Sequence, residues 1–435
     1  EQTLPFGSLT SYTGYARRRT GTRFDFDGSP ANLSLAEQEW KQDTFQQGID
    51  VNVTSIDGLN LILGGTYYND RLENLGQLGI AGGVVASIAT ATLWAEAWAV
   101  YADGTINLSD RLVLNLGARY TKEGKSAKYQ TVNPAGAFLT PPGRGDETFS
   151  AFTPRGSLRY EIGPRTNVYY SISRGFRSGG FQPNGATRPE LFIPFKPEKI
   201  TAYELGFKTS SPTVQFDAAA FYYDYRKLQV GVTVPNPITN IGLVNLVSNT
   251  PKAEVWGADA LIAVQPVSNL NVRLGAAYLH ARYRDFVNAT GNGLNPATNL
   301  NVPGQVQNWS NLQMARSPTF SGNLSVDYTI PDVAGGSVQL SANGSYTDSF
   351  VLSNPSVYGR LAGARAREQR YRQSAYALLN GQISWTDADE AVKITLYLNN
   401  ITDKRYRMTY NGANLGDYSS WAQPRTYGVR ASYNF

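Results

Sequence analysis

The run Phe320-Ser321-Gly322-Asn323-Leu324-Ser325-Val326-Asp327-Tyr328-Thr329-Ile330 alternates with a period of two. Phe320, Leu324, Val326, Tyr328 and Ile330 fall on one face, and Ser321, Asn323, Ser325, Asp327 and Thr329 on the other, as a pleated strand requires. Beyond a turn over residues 331–336 the pattern repeats, with Val338, Leu340, Ala342 and Tyr346 set against Ser337, Gln339, Ser341, Asn343 and Ser345. An alternating strand, a tight polar turn, a second alternating strand and a long loop recur about eight times along the chain, which is the signature of a transmembrane β-barrel. The apolar face of such a strand meets lipid and the polar face meets the lumen.

Composition agrees with one large all-β, antiparallel domain. No linker, charge block or low-complexity run divides the 435 residues. Hydrophobic residues make up 41% and the mean hydropathy is -0.33, too polar for a bundle of membrane helices. The 27 Tyr and 7 Trp suit interfacial girdles. A soluble sandwich or propeller is the alternative that composition alone leaves open. Cysteine is absent and His280 is the single histidine, which removes thiolate chemistry and most metal and general-base schemes. His280 reads as an interfacial ring. A net charge of +5 without a Lys/Arg stripe gives no case for nucleic acid, and only a weak one for lipopolysaccharide phosphates.

The alternating segments predict about sixteen strands, with short turns on one side and long loops on the other, as in outer-membrane barrels of Gram-negative bacteria. The uncharged stretch from Leu78 to Ala95 is long enough for a membrane helix, but its glycines, serine and threonines favour an apolar, partly helical loop. Residues 124–148 and 287–311 also read as loops, as does a segment with Arg360, Arg365, Arg367 and Arg370. Asp25 and Asp27 sit in a Gly/Pro loop, where turn formation or loose Ca²⁺ binding are both open. The last strands are expected over 373–385, 392–405 and 421–435. Their phase puts Tyr433 and Phe435 on the lipid face at the short-turn end. Glu1 follows no basic and apolar leader, so a mature or truncated product is expected.

Several phrases carry a resemblance. Tyr169 to Phe181 reads Tyr-Tyr-Ser-Ile-Ser-Arg-Gly-Phe-Arg-Ser-Gly-Gly-Phe. Pro197-Glu198-Lys199, Tyr203-Glu204-Leu205-Gly206-Phe207-Lys208 and Phe221-Tyr222-Tyr223-Asp224-Tyr225 follow in order, and Leu398-Asn399-Asn400-Ile401-Thr402-Asp403-Lys404-Arg405-Tyr406 stands near the end. In series these resemble the barrel of TonB-dependent outer-membrane receptors. The resemblance implies a barrel of twenty-two strands filled by an N-terminal plug, as barrels of that size are. It also implies uptake of a scarce solute, most often a ferric siderophore or similar chelate, energised by the TonB complex. A terminal aromatic such as Phe435 resembles the signal read by the barrel-assembly machinery. Neither plug nor TonB box is visible here, so residues 1–435 are expected to be the C-terminal part of a receptor barrel. Sixteen strands is also a porin number, and a passive porin is the alternative.

For ligand contact the expected residues are Arg174, Phe176, Arg177 and Phe181, with Tyr406, Tyr410 and Trp421 behind them, since planar arginines suit anionic chelates. Arg119, Arg273, Lys393 and Arg430 are expected on the lumen face. No Ser or Asp is paired with a base, so no enzyme, cofactor or metal is expected. Expected partners are a small-molecule ligand, outer-membrane lipid and lipopolysaccharide, the TonB complex and the assembly machinery.

Overall fold

The computed structural model describes residues 1–25, 34–80, 84–182, 194–235, 243–294, 297, 301–353, 371–413 and 416–434. Its strands are β1 (Gln2–Leu4), β2 (Gly7–Asp25), β3 (Ser34–Ile56), β4 (Leu59–Ile80), β5 (Val84–Ser109), β6 (Leu112–Val132), β7 (Phe138–Gly163) and β8 (Thr166–Arg177). Then come β9 (Glu198–Ser210), β10 (Val214–Pro235), β11 (Leu243–Val267), β12 (Leu270–Asp285), β13 (Ala289–Leu294), β14 (Asn301–Gln307), β15 (Phe320–Val333) and β16 (Gly336–Thr347). The last are β17 (Phe350–Val351), β18 (Arg372–Gln373), β19 (Tyr376–Asp387), β20 (Val392–Asn399), β21 (Asn411–Ala413), β22 (Gly416–Tyr418) and β23 (Thr426–Tyr433).

Seventeen of these form one sheet, running antiparallel from β1 to β12 and on through β15, β16, β19, β20 and β23. The three-residue β1 is the only member shorter than eight residues; the others match the sixteen expected strands. β13–β14, β17–β18 and β21–β22 are small separate ladders. β23 pairs with β20 and β1 with β2; among the described residues no ladder joins β23 to β1 or β2.

Alternation sorts side chains as the chemistry demands. One face exposes a belt of rings, in which Trp98 lies 5.6 Å from Tyr120, Tyr203 6.3 Å from Tyr222, Trp256 5.8 Å from Tyr278 and Phe320 6.0 Å from Tyr346. A second aromatic row includes Tyr160 and Tyr328, each eight residues along its strand from Phe152 and Phe320. Eight residues at about 3.3 Å, tilted by about 40°, span roughly 20 Å, close to the apolar band of an outer-membrane barrel. Leu324 sits midway and is 44% exposed. Leu324→Arg should therefore cost about 2–4 kcal/mol in a lipid bilayer, and Asn323→Arg on the polar face far less. Unfolding titrations in vesicles that gave equal losses would show that the faces are misassigned.

The strands run far beyond this band. β5 and β7 have 26 residues each, whereas a tilted spanning strand needs about 9–11. The segments expected to be loops over 78–95 and 124–148 are thus hairpin arms: Leu78 pairs with Ser87, and Lys128 with Arg144. Both faces of such an arm are wet, so nothing enforces alternation there, and Thr, Val and Ile carry the extended backbone. The stretch over 287–311 likewise contains β13 and β14. Among the described residues no helix is long and apolar enough to cross a membrane. The last strands are shorter than expected, because turns and small ladders occupy residues 400–425. Asp27 and the arginines at 360, 365, 367 and 370 lie outside the described residues.

Two clusters bury apolar side chains at the long-hairpin end. In one, Leu228, Val230 and Val232 pack with Ala253, Tyr283, Phe286, Ala289 and the fully buried Trp309. Lys227 immediately before them has φ +54°, an uncommon left-handed conformation for a non-glycine, and the buried parity of β10 changes there. Burial pushes the Tyr283 phenol up to about 12. The other cluster holds Val351, Leu352, Tyr371 and Tyr410.

Candidate functional site

The polar face is built from rows that cross several strands. Asp50 of β3, Gly64 of β4, Tyr101 of β5 and Arg119 of β6 are register partners in turn. Strands two apart are about 9.6 Å from each other, beyond ordinary contact between their side chains. Gly64 removes the obstacle: a Cβ there would overlap both the Tyr101 ring and the Asp50 carboxylate. Tyr101 lies across it and its hydroxyl donates to Asp50. The Arg119 guanidinium sits 5.2 Å from the centre of the Tyr101 ring and donates to Thr66 Oγ1 at 2.8 Å and Thr121 Oγ1 at 3.2 Å.

The same device recurs around the sheet. Asp103 and Arg155 meet at 2.6 Å across Gly117. Tyr169 of β8 covers Gly206 of β9 and donates to Glu204 at 2.6 Å, with Lys208 over its ring at 5.5 Å. Two of the family-like phrases therefore interlock face to face. Tyr397 covers Gly428, and Arg430 lies 5.9 Å from the Tyr397 ring. Higher on this face Asp70 accepts hydrogen bonds from Gln42 at 3.0 Å and Thr44 at 2.6 Å. Arg273 and Lys393 share the face as exposed cations, without an acidic partner among the described residues. Such a wall offers hydroxyls, carboxylates and cations to a polar solute. Apart from Arg119, none of the residues in the Asp50 and Asp103 rows stood out in the sequence, because alternation gives the face but not the cross-strand register.

The phrase from Tyr169 to Phe181 is divided by the fold. Arg174 and Phe176 have the parity of Tyr170 and Ile172, 47% and 40% exposed on the apolar face, so they do not join Arg177 on the polar side. Past Arg177 the chain becomes a strap. Lys125 Nζ donates to the Gly179 carbonyl at 2.9 Å, and Gln229 donates to the Ser178 carbonyl at 2.9 Å. Gln182 exchanges two hydrogen bonds with the Val247 backbone, at 2.7 and 3.0 Å. Gly179 has no room for a Cβ, which would strike the Phe195 carbonyl and the Phe149 ring. Phe181 is buried against Gly145. The expected ligand cluster of Arg174, Phe176, Arg177 and Phe181 is not brought together; an antiparallel strand sends neighbouring residues to opposite faces, and the glycines serve packing.

The remaining candidates also separate. Tyr406 stacks on Tyr376 at 4.4 Å, Tyr410 is buried beside Val351 and Leu352, and Trp421 is exposed at an isolated bridge to Arg407. Burial removes Tyr410 from direct solute contact. The phrase around Asn400 is turn chemistry: Asn400 Oδ1 accepts from the Lys404 N–H at 2.8 Å, and Asp403 accepts from the Arg425 N–H at 2.9 Å. Both residues have positive φ, which Asn and Asp tolerate. His280 stacks on Trp256 at 4.8 Å in the outward belt. Tyr433 is exposed at the short-turn end, opposite Val392, while Phe435 lies outside the described residues. Among the described residues no three His, Cys, Asp or Glu side chains could hold a metal ion.

The family described as TonB dependent receptor-like, beta-barrel matches residues 1–401. The pesticin receptor of Yersinia pestis is 25% identical over 352 residues, covering 78% of this chain and 44% of that protein. This chain thus spans less than half the length of that curated relative. The ferric yersiniabactin uptake receptor of Yersinia pestis has the same fold, with a TM-score of 0.76 at 17% identity over 98% of this chain and 58% of that one. The siderophore receptor PiuA of Acinetobacter baumannii gives 0.69 at 15% identity, over 97% and 61%. Barrels of this family reside in the outer membrane of Gram-negative bacteria and are receptors or transporters rather than enzymes, and the match does not support a porin. From its residue pattern, sheet order and these likenesses, the chain belongs to the TonB-dependent receptor β-barrel family.

Proposed function

We propose that the protein forms the greater part of a receptor barrel for TonB-energised uptake of a scarce solute, a ferric siderophore or similar chelate. The polar wall centred on Asp50, Tyr101 and Arg119 carries this reading, because it presents charge and hydroxyls on the face turned from lipid. Arg119, Arg273, Lys393 and Arg430 would attract an anionic chelate along that face. The relatives named above are receptors for pesticin, ferric yersiniabactin and a siderophore. Two sheet edges without partners among the described residues, and the 44% and 58% spans of the relatives, support a receptor whose remaining strands and plug lie outside this chain. An open edge in a bilayer would leave backbone groups unsatisfied at several kcal/mol each. The TonB complex would act through that plug, and Tyr433 with Phe435 would serve the assembly machinery.

The test is uptake by cells carrying the intact gene, across a panel of ferric chelates, with and without the TonB complex. Uptake of one chelate that requires TonB and drops at least tenfold in Arg119→Ala is expected. Equal uptake without TonB would sink the proposal.

A further inference from the structure

Three long connectors lie at the same end of the sheet: residues 286–319 lead from β12 to β15, 348–375 from β16 to β19, and 400–425 from β20 to β23. Left to themselves, connectors of that length would each keep their own conformational freedom. Their described parts are instead bonded pairwise. The first and second meet where the Arg316 N–H donates to the Val351 carbonyl at 2.7 Å and the Arg372 guanidinium donates to Gln313 Oε1 at 3.1 Å. The second and third meet where the Arg407 N–H donates to Gln373 Oε1 at 2.8 Å and the Arg407 guanidinium donates to the Arg372 carbonyl. Arg316 closes the circuit, its guanidinium donating to the Met408 carbonyl at 2.9 Å. Each connector is thus bonded to both of the others.

Burial makes these bonds costly to break singly. Gln313 and Gln373 are buried, and so are Val351, Leu352 and Tyr371 of the second connector and Tyr410 of the third, which pack as one cluster. A buried amide or carbonyl that loses its partner finds no water, so opening one connector leaves polar groups of the other two unpaired. Arg316 also has φ +56°, a conformation that a non-glycine keeps only where its surroundings hold it. The circuit is moored to the barrel at β12, where Gln313 bridges Arg282 and the Met314 N–H donates to the Ala281 carbonyl at 3.1 Å.

We propose that the three connectors form a single latch that opens and closes as one unit, with Gln313, Arg372, Gln373 and Arg407 as its catch, so that contact with any one connector is transmitted to the other two. The proposal rests on the fold and these bonds, not on the identity of the transported solute.

The experiment is hydrogen exchange of the purified full-length receptor in detergent, over a series of urea concentrations below unfolding. In wild type, amides over 311–317, 349–352 and 405–410 should merge on one opening free energy with one urea slope, the mark of a cooperative unit. Gln373→Ala gives the sharper reading. Its side chain bonds to Ser374 and Arg407 rather than to the first connector, yet exchange over 311–317 should rise about tenfold, together with 405–410, for the loss of a buried hydrogen bond. Arg316→Ala removes the bond to Met408 and should raise exchange over 349–352; it carries the test if Gln373→Ala fails to assemble. Arg144→Ala, which breaks an exposed pair with Asp146 on β7, should change none of the three segments. The proposal is overturned by three separate openings in wild type, by a Gln373→Ala protein that loosens 405–410 while 311–317 keeps its protection, or by an equal rise in Arg144→Ala, which would mark general loosening. Solute uptake does not enter this test: its failure would sink the proposed function while leaving the exchange result intact.

Discussion

Trp309→Ala should loosen residues 283–314 by about 3–5 kcal/mol, the usual cost of emptying a large buried aromatic site. The indole is fully buried, its ring centre 5.2 Å from Phe286 and 6.1 Å from Tyr283, and its Nε1 donates to Gln307 at 2.8 Å. It is the pin that holds β13 and β14 against β10. The ladders of the membrane band do not depend on it, so the opening should be local. Hydrogen exchange is the suitable measurement: amides over 283–314 should lose protection by two orders of magnitude or more, while β15 and β16 keep theirs. Unchanged protection over 283–314 would show that the cluster does not anchor this segment.

Gly179→Val should detach the strap that follows β8. Its new side chain would meet the Phe195 carbonyl, which is backbone and cannot swing aside, together with the Phe149 ring. Overpacking of this kind costs about 1–3 kcal/mol. The chain has no cysteine, so Ser178→Cys supplies a unique reporter. Its labelling by a thiol reagent should speed up about tenfold for each 1.4 kcal/mol lost. Gly163→Ala is the matched control, since a Cβ there meets nothing within 4 Å. Equal labelling in the Gly179→Val and Gly163→Ala backgrounds would mean that the strap is held elsewhere.

The strap shows how a phrase can be legible while its purpose is not. Arg174, Phe176, Arg177 and Phe181 stand together in sequence and share aromatic and cationic chemistry, which invites a reading as one binding cluster. Alternation already separates Arg174 from Arg177, but only the register with β9 shows which of them joins Tyr203 and Tyr222 on the lipid side. Phe181 is further removed by the strap through Gly179 and Gly180, where Gly180 bridges Phe195 and the tight packing depends on residues brought in from β6 and β7. Asp50 and Tyr101, by contrast, look like ordinary polar-face residues 51 positions apart, and their contact exists because Gly64 lies between them.

Alternation and turn chemistry alone fix the two faces of the membrane band, the succession of about sixteen strands and the side on which the short turns lie. Each is a local matter: a period of two and a turn between neighbours need no distant partner. Folding adds how far the hairpins extend above the belt, that Arg174 rather than Arg177 joins the rings on the lipid side, and which polar groups meet. Hairpin arms with both faces in water carry no alternation to read. Contacts across glycines, in turn, depend on the register between strands, which the sum of many distant pairings sets.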